Sequence, residues 1–194
     1  MLKRVVIVTG IPGTGKTTVC NELLELAEGT GRKVAVINFG TVMVELSRKR
    51  DKSLHRDELR KSKLSFQRDL QAKAAKVISQ RAMDAEGDLI VDTHMSIKTL
   101  EGYWAGLPIP VLKLLNPEML VLVEAEPNEV LSRRVKDPTR RRDKVLEDEV
   151  AEELLFSRLM AAACSVLTGA SVKIVKNPSG KQVDAAKEVL RLLG

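Results

Sequence analysis

Residues 10–17 read GIPGTGKT, which fits G-x-x-x-x-G-K-[ST] with no gap. Each residue type has a physical task. Gly10, Gly13 and Gly15 let the backbone turn tightly past Ile11, Pro12 and Thr14, so that successive N–H groups point into one concavity that suits an anion. Lys16 is long enough to reach the β- and γ-phosphates of a nucleoside triphosphate. The Thr17 hydroxyl suits Mg²⁺, and that of Thr18 an α-phosphate oxygen. The pattern carries weight because an apolar run, Val5–Thr9, precedes it and a helical segment follows. Residues 10–18 are therefore expected to cradle a nucleoside triphosphate.

A second stretch, LIVDTH at 89–94, ends an apolar run on a carboxylate. In an open parallel sheet the ligand crevice lies at the carboxyl ends of the strands. Asp92 is expected there, holding Mg²⁺ through water together with Thr17. His94 is placed to touch an acceptor phosphate or to cap the local turn.

The net charge of +6 is unevenly spread. Residues 132–144 hold seven Lys/Arg against two Asp, and residues 48–63 hold eight Lys/Arg against three acids, about +5 each, while the rest of the chain is about −4. Diffuse nucleic-acid binding favours a basic stripe with aromatic residues for stacking, and aromatics are 3% here. Two compact basic segments suit compact polyanions. In KDPTRRRDK, residues 136–144, adjacent arginines repel one another unless a polyanion lies between them. A short arm bringing Arg140 and Arg142 onto a transferring phosphoryl group would relieve that repulsion and exclude water. Arg134, on the preceding helix, joins Lys16, Arg140 and Arg142 as expected catalytic cations. The other basic segment suggests a second phosphate site. Gly40 and Thr41 lie where a strand gives way to a helix, and Arg56 and Arg60 share a face if their segment is helical.

Hydrophobic patterning supplies the elements that must position these groups. Strands are expected at Val5–Thr9, Val34–Asn38, Leu89–Asp92, Met119–Glu124 and Val172–Lys176, and the set reads as continuously apolar rather than alternating. Helices are expected at Lys16–Glu28, Val42–Lys49, Ser65–Asp84, Ile109–Leu115, Pro127–Arg134, Glu147–Leu167 and Lys181–Leu193, and in part at Leu54–Lys63. Leu70, Ala74, Val77, Ile78 and Ala82 form one stripe of the third. Residues 98–110, KTLEGYWAGLPIP, read as a Gly/Pro-rich loop. Strand–helix alternation defines an α/β fold with a parallel sheet covered on both faces. Cys20 and Cys164 are far apart with no metal-ligand spacing, which suggests a reducing compartment. The apolar run at the N-terminus is too short for a signal peptide, and no run is long enough for a membrane helix.

The motifs VVIVTGIPGTGKTT, NFGTVM, RDELRK, VDTH, KT…GY…GLP, DPTRRRD and VLTGASVKI occur in the order found in archaeal-type adenylate kinases, and the chain resembles that family over its whole length. The resemblance implies a single P-loop kinase domain, residues 1–194, with a five-stranded parallel sheet. It implies an inserted AMP-binding lobe at about 39–66 and a short lid at about 135–145. It further implies ATP + AMP ⇌ 2 ADP with Mg²⁺, and a cytoplasmic homotrimer. The expected arginine five positions after Gly40-Thr41 is missing, so Arg56, Arg60 or Lys98 must cover the AMP phosphate. Two alternatives stand beside this one. The first is a kinase for CMP or UMP, and the second a P-loop accessory protein that binds RNA or a ribosomal partner.

Overall fold

The computed structural model describes residues 4–48, 62–99, 101–136 and 146–194. Arg56, Arg60, Arg140 and Arg142 lie outside those residues, as does most of the expected lid.

Five strands, β1 (Val5–Thr9), β2 (Val34–Asn38), β3 (Asp88–Asp92), β6 (Met119–Glu124) and β7 (Ser171–Lys176), form a parallel sheet in the order β2-β3-β1-β6-β7. The described helices are α1 (Lys16–Gly29), α2 (Phe39–Arg48), α3 (Leu64–Asp84), α4 (Ile109–Leu115), α5 (Pro127–Lys136), α6 (Glu147–Thr168) and α7 (Gln182–Leu192). Side chains of successive strand residues point to opposite faces, and both faces are covered. On one, Val6, Val8, Ile90, Val121, Val123 and Val175 pack against Val19 and Leu23 of α1 and Ala185 and Val189 of α7. On the other, Ile7, Leu89, Val91, Leu120 and Leu122 meet Phe39 and Val42 of α2, Ala74 and Ile78 of α3, Val111 and Leu112 of α4, and Ala161 and Cys164 of α6. Double burial accounts for the uninterrupted apolar runs of β1, β3 and β6, whereas the edge strand β7 is mostly exposed and carries Lys173 and Lys176. In the α3 stripe, Leu70, Ala74 and Ile78 are fully buried, and Val77 and Ala82 pack at its margin.

Two elements differ from the sequence expectation. Residues 98–110 are not simply a loop, because β4 (Ser96–Thr99) and β5 (Gly102–Ala105) pair antiparallel with Lys98 opposite Tyr103. Tyr103 and Trp104 favour a pleated, half-buried surface. The Tyr103 ring also stacks on Phe156 of α6 at a centroid distance of 4.2 Å. Long-range packing thus decides the conformation of a segment whose glycines and prolines read locally as a loop. The helix expected to begin at Val42 instead begins at Phe39. It follows β2 without a linker because the buried Phe39 and Val42 draw it onto the sheet. No described helix is long and apolar enough to cross a membrane.

Candidate active site

The loops after β1 and β3 open at the same edge of the sheet, since β1 and β3 are parallel neighbours with Val8 beside Asp92. The glycine-rich turn after β1 closes on itself, with Thr14 donating to the Ile11 carbonyl through both its backbone N (3.3 Å) and its hydroxyl (3.0 Å). Gly15 enters α1 with φ 84°, and a Cβ there would lie 2.5 Å from the Asn177 amide nitrogen. Left-handed geometry and close approach both require glycine at this position. The turn delivers Lys16 and Thr17 to the mouth of the crevice. Lys16 Nζ is 3.8 Å from Asp92 Oδ1, and the Thr17 hydroxyl donates to Asp92 Oδ2 at 3.5 Å. Asp92 is 3% exposed and Lys16 8%, whereas Thr17 and Thr18 face the solvent-filled crevice.

Distant segments brace the loop by its carbonyls. Asn177, just past β7, donates to the Thr14 carbonyl at 2.8 Å. Arg133 of α5 reaches the carbonyls of Thr14 (3.3 Å) and Asn177 (2.9 Å) and the Ser179 hydroxyl. Arg134 Nε donates to the Pro12 carbonyl at 2.7 Å, while its two Nη groups form a bidentate pair with Glu153 at 3.1 and 2.6 Å. His94 Nδ1 lies 2.9 Å from the Gly10 carbonyl. A carbonyl only accepts, so Nδ1 carries the proton. With these carbonyls occupied by braces, the N–H groups of the turn other than that of Thr14 are the ones left to meet an anion.

Beside the loop, Gly15, Thr18, Arg133 and residues 177–180 line an open pocket of about 200 Å³. Glu124, at the end of β6 and 2% exposed, accepts two hydrogen bonds from Arg158 (2.7 and 2.6 Å) and one from Lys176 (3.3 Å). The hydrogen bonds to Glu124 push the Arg158 guanidinium pKa upward. Burial, with the Asp92 charge adding to it, raises the Cys20 thiol to about 12, which leaves it inert at neutral pH.

Of the groups expected from sequence, Lys16, Thr17, Asp92 and His94 are brought together around the loop. Gly40 and Thr41 begin α2 on the far side of Asp92. Thr41 donates through its backbone N and its hydroxyl to Asn38, which in turn donates to Asp92 at 2.7 Å. Lys98 is on β4, paired with Glu149 at 2.8 Å. Sequence reasoning missed Asn38, Arg133, Glu153, Asn177 and Glu124. A usable signal existed for three of them. Asn38, Glu124 and Asn177 are polar residues at or just past the carboxyl end of an apolar strand, the same mark that identified Asp92.

The donor set around Asp92 fits Mg²⁺. One carboxylate and one hydroxyl, all oxygen, leave most of an octahedron to water and substrate phosphates, which is how this ion is usually held.

A phosphate-cradling loop between β1 and α1, with a strand-end carboxylate facing its lysine, defines a P-loop kinase-type nucleotide site. Residues 9–151 match the model of a family described as an AAA domain. Among solved structures, shikimate kinase from Acinetobacter baumannii superposes with a TM-score of 0.62 at 17% identity, covering 98% of this chain and 93% of that one. That likeness concerns the fold. Sequence relatives are more specific. An adenylate kinase of Methanocaldococcus jannaschii is 42% identical over 193 residues, 100% of both chains, and one of Pyrococcus furiosus is 42% identical over 190 residues, 97% of this chain and 94% of that one. An adenylate kinase of Methanopyrus kandleri is 43% identical over 185 residues, covering 95% and 94%. The chain belongs to the adenylate kinase family.

Proposed function

We propose that the chain transfers the γ-phosphoryl group of ATP to AMP, reversibly and with Mg²⁺, to give two ADP. The observation that carries this reading is the convergence of Lys16, Thr17 and Asp92 at the mouth of the P-loop. Residues 10–18 cradle the triphosphate through backbone N–H groups, and Lys16 places its charge between the β- and γ-phosphates. Thr17, and Asp92 through water, would hold the metal ion, which supplies neutralisation of the phosphate oxygens. The open pocket beside Gly15 and Arg133, of about 200 Å³, is assigned to the donor's base. Gly40 and Thr41, across Asp92 from the P-loop, are assigned to the acceptor with His94 and Lys98, and Arg56 and Arg60 join them by their place in the sequence. Residues of about 39–66 act as the acceptor lobe, and those of about 135–145 as the lid. Arg140 and Arg142 are assigned to the moving group as part of the lid, and Arg134, its charge paired with Glu153, holds the loop at Pro12. The acceptor phosphate is already nucleophilic, so no general base is required; positioning and charge stabilisation suffice.

Exposed Leu155, Leu159 and Val166 on α6, with Val172 and Ile174 on the edge strand β7, support self-association. The reading is a homotrimer, acting in the cytoplasm.

The test is ADP formation across AMP, CMP, UMP and GMP at fixed Mg·ATP. AMP should exceed the others by at least about tenfold in kcat/KM, and parity with CMP would move the assignment to the pyrimidine alternative.

A further inference from the structure

Asn38 closes β2 and is the residue immediately before α2. Its amide is used in two directions. The carbonyl oxygen accepts from the Thr41 backbone N at 3.0 Å and from the Thr41 hydroxyl at 3.1 Å. The Thr41 N–H is one of the first-turn donors for which a helix provides no partner of its own, so Asn38 acts as the side-chain cap of α2. The amide nitrogen donates to Asp92 Oδ2 at 2.7 Å, shorter than the 3.5 Å bond from Thr17 to the same oxygen. Asp92 Oδ1 is thereby turned toward Lys16, 3.8 Å away. An amide suits this post because it accepts and donates at once. An aspartate would cap the helix but set a second carboxylate against Asp92. A leucine would do neither.

We propose that Asn38 is a positioning residue for phosphoryl transfer. It locks the carboxylate rotamer of Asp92 and couples it to the first turn of α2, so the metal-side oxygen and the acceptor-side helix hold one geometry. The inference rests on the reading of Asp92 as the metal-side carboxylate. Partners that orient metal-associated carboxylates commonly contribute 10–100-fold to metal affinity or activity.

Asn38→Ser keeps a neutral cap and is too short to donate to Asp92, while Asn38→Leu loses both. Asp92→Asn serves as the reference. Mn²⁺ affinity would be measured by electron paramagnetic resonance on each protein with a non-hydrolysable ATP analogue. Steady-state kcat, KM for AMP and melting temperature would be recorded beside it. Both Asn38 variants are expected to bind Mn²⁺ about 10–100-fold more weakly and to lose kcat by a similar factor. The KM for AMP should move less than kcat in Asn38→Ser. If Asn38→Ser binds Mn²⁺ like the wild type while Asp92→Asn does not, the inference is overturned and the metal reading survives. If Asp92→Asn also binds like the wild type, the metal reading itself fails. A lower melting temperature with unchanged Mn²⁺ affinity would reduce Asn38 to a helix cap and likewise overturn the proposal. Should either variant fail to fold, Asn38→Thr, equally short and neutral, carries the same expectations.

Discussion

Around the P-loop, Arg133, Arg134, His94 and Asn177 converge from three separate parts of the chain on the backbone carbonyls of a single turn. Across Asp92, the α2 wall is arranged otherwise. Gly40 and Thr41 open a helix whose first turn is held by one amide, and Lys98 stands on a separate hairpin, tied to α6. The P-loop side, proposed for the donor, is a backbone device fastened from behind. The α2 side, proposed for the acceptor, presents side chains carried by separate elements. A phosphate held by main-chain N–H groups requires one contiguous peptide with a special conformation. A phosphate held by guanidinium and ammonium groups requires several segments to arrive together.

The contrast can be broken most forcefully at Lys16. Lys16→Met should lower kcat/KM by about 10²–10³-fold with the fold intact by circular dichroism; near-normal turnover would remove the P-loop from the chemistry. Glu153→Ala tests the fastening. It would leave the Arg134 guanidinium buried beside Pro12 without its anion, and a loss of about 3 kcal/mol in urea unfolding is expected, together with weaker ATP binding. Unchanged ATP affinity despite lower stability would mean that the brace supports the fold and not the loop. Gly15→Ala should cost about 1–2 kcal/mol from left-handed geometry and displace Asn177, visible as a weakened Kd for ATP with KM for AMP little changed. Arg140→Ala and Arg142→Ala should depress kcat about tenfold or more while leaving AMP affinity nearly intact. The reverse pattern would move the arm to the acceptor. The smallest effect is expected at Lys98→Ala. The hydrogen bond to Glu149 raises the Lys98 pKa and lowers that of Glu149, but both groups are solvent-exposed, so the melting temperature should hardly move. A severalfold rise in KM for AMP would place Lys98 at the acceptor phosphate, and an unmoved KM would leave that phosphate to other groups.

The two sides also differed in how readily they were read from sequence. Gly10 to Thr18 could be recognised because the whole device is local, a strand, a turn and a helix in succession. Asp92 was accessible because a carboxylate ending an apolar run has few other reasons to be there. Asn38 and Asn177 bear a comparable mark at strand ends, but an amide there also reads as an ordinary turn residue. Glu153 gave no signal, being one of several acids in the first two turns of α6, and its burial follows from how α5 and α6 cross. Tyr103 and Trp104 were obscured by the glycines and prolines around them, although the stack on Phe156 places them in a hairpin.

By itself the chain of residues determined the periodicities, the strand runs, the glycine-rich turn and the two basic segments. These follow from interactions within a few positions, which local chemistry sets before any long-range contact forms. The tertiary structure decided which cations brace the loop and which remain for substrate, which acids are buried, and that Asn38 joins Asp92 to α2. Those outcomes depend on hydrogen bonds between atoms tens of residues apart, and a bond of that kind exists only once packing of the sheet and its helices has brought donor and acceptor within 3 Å or so.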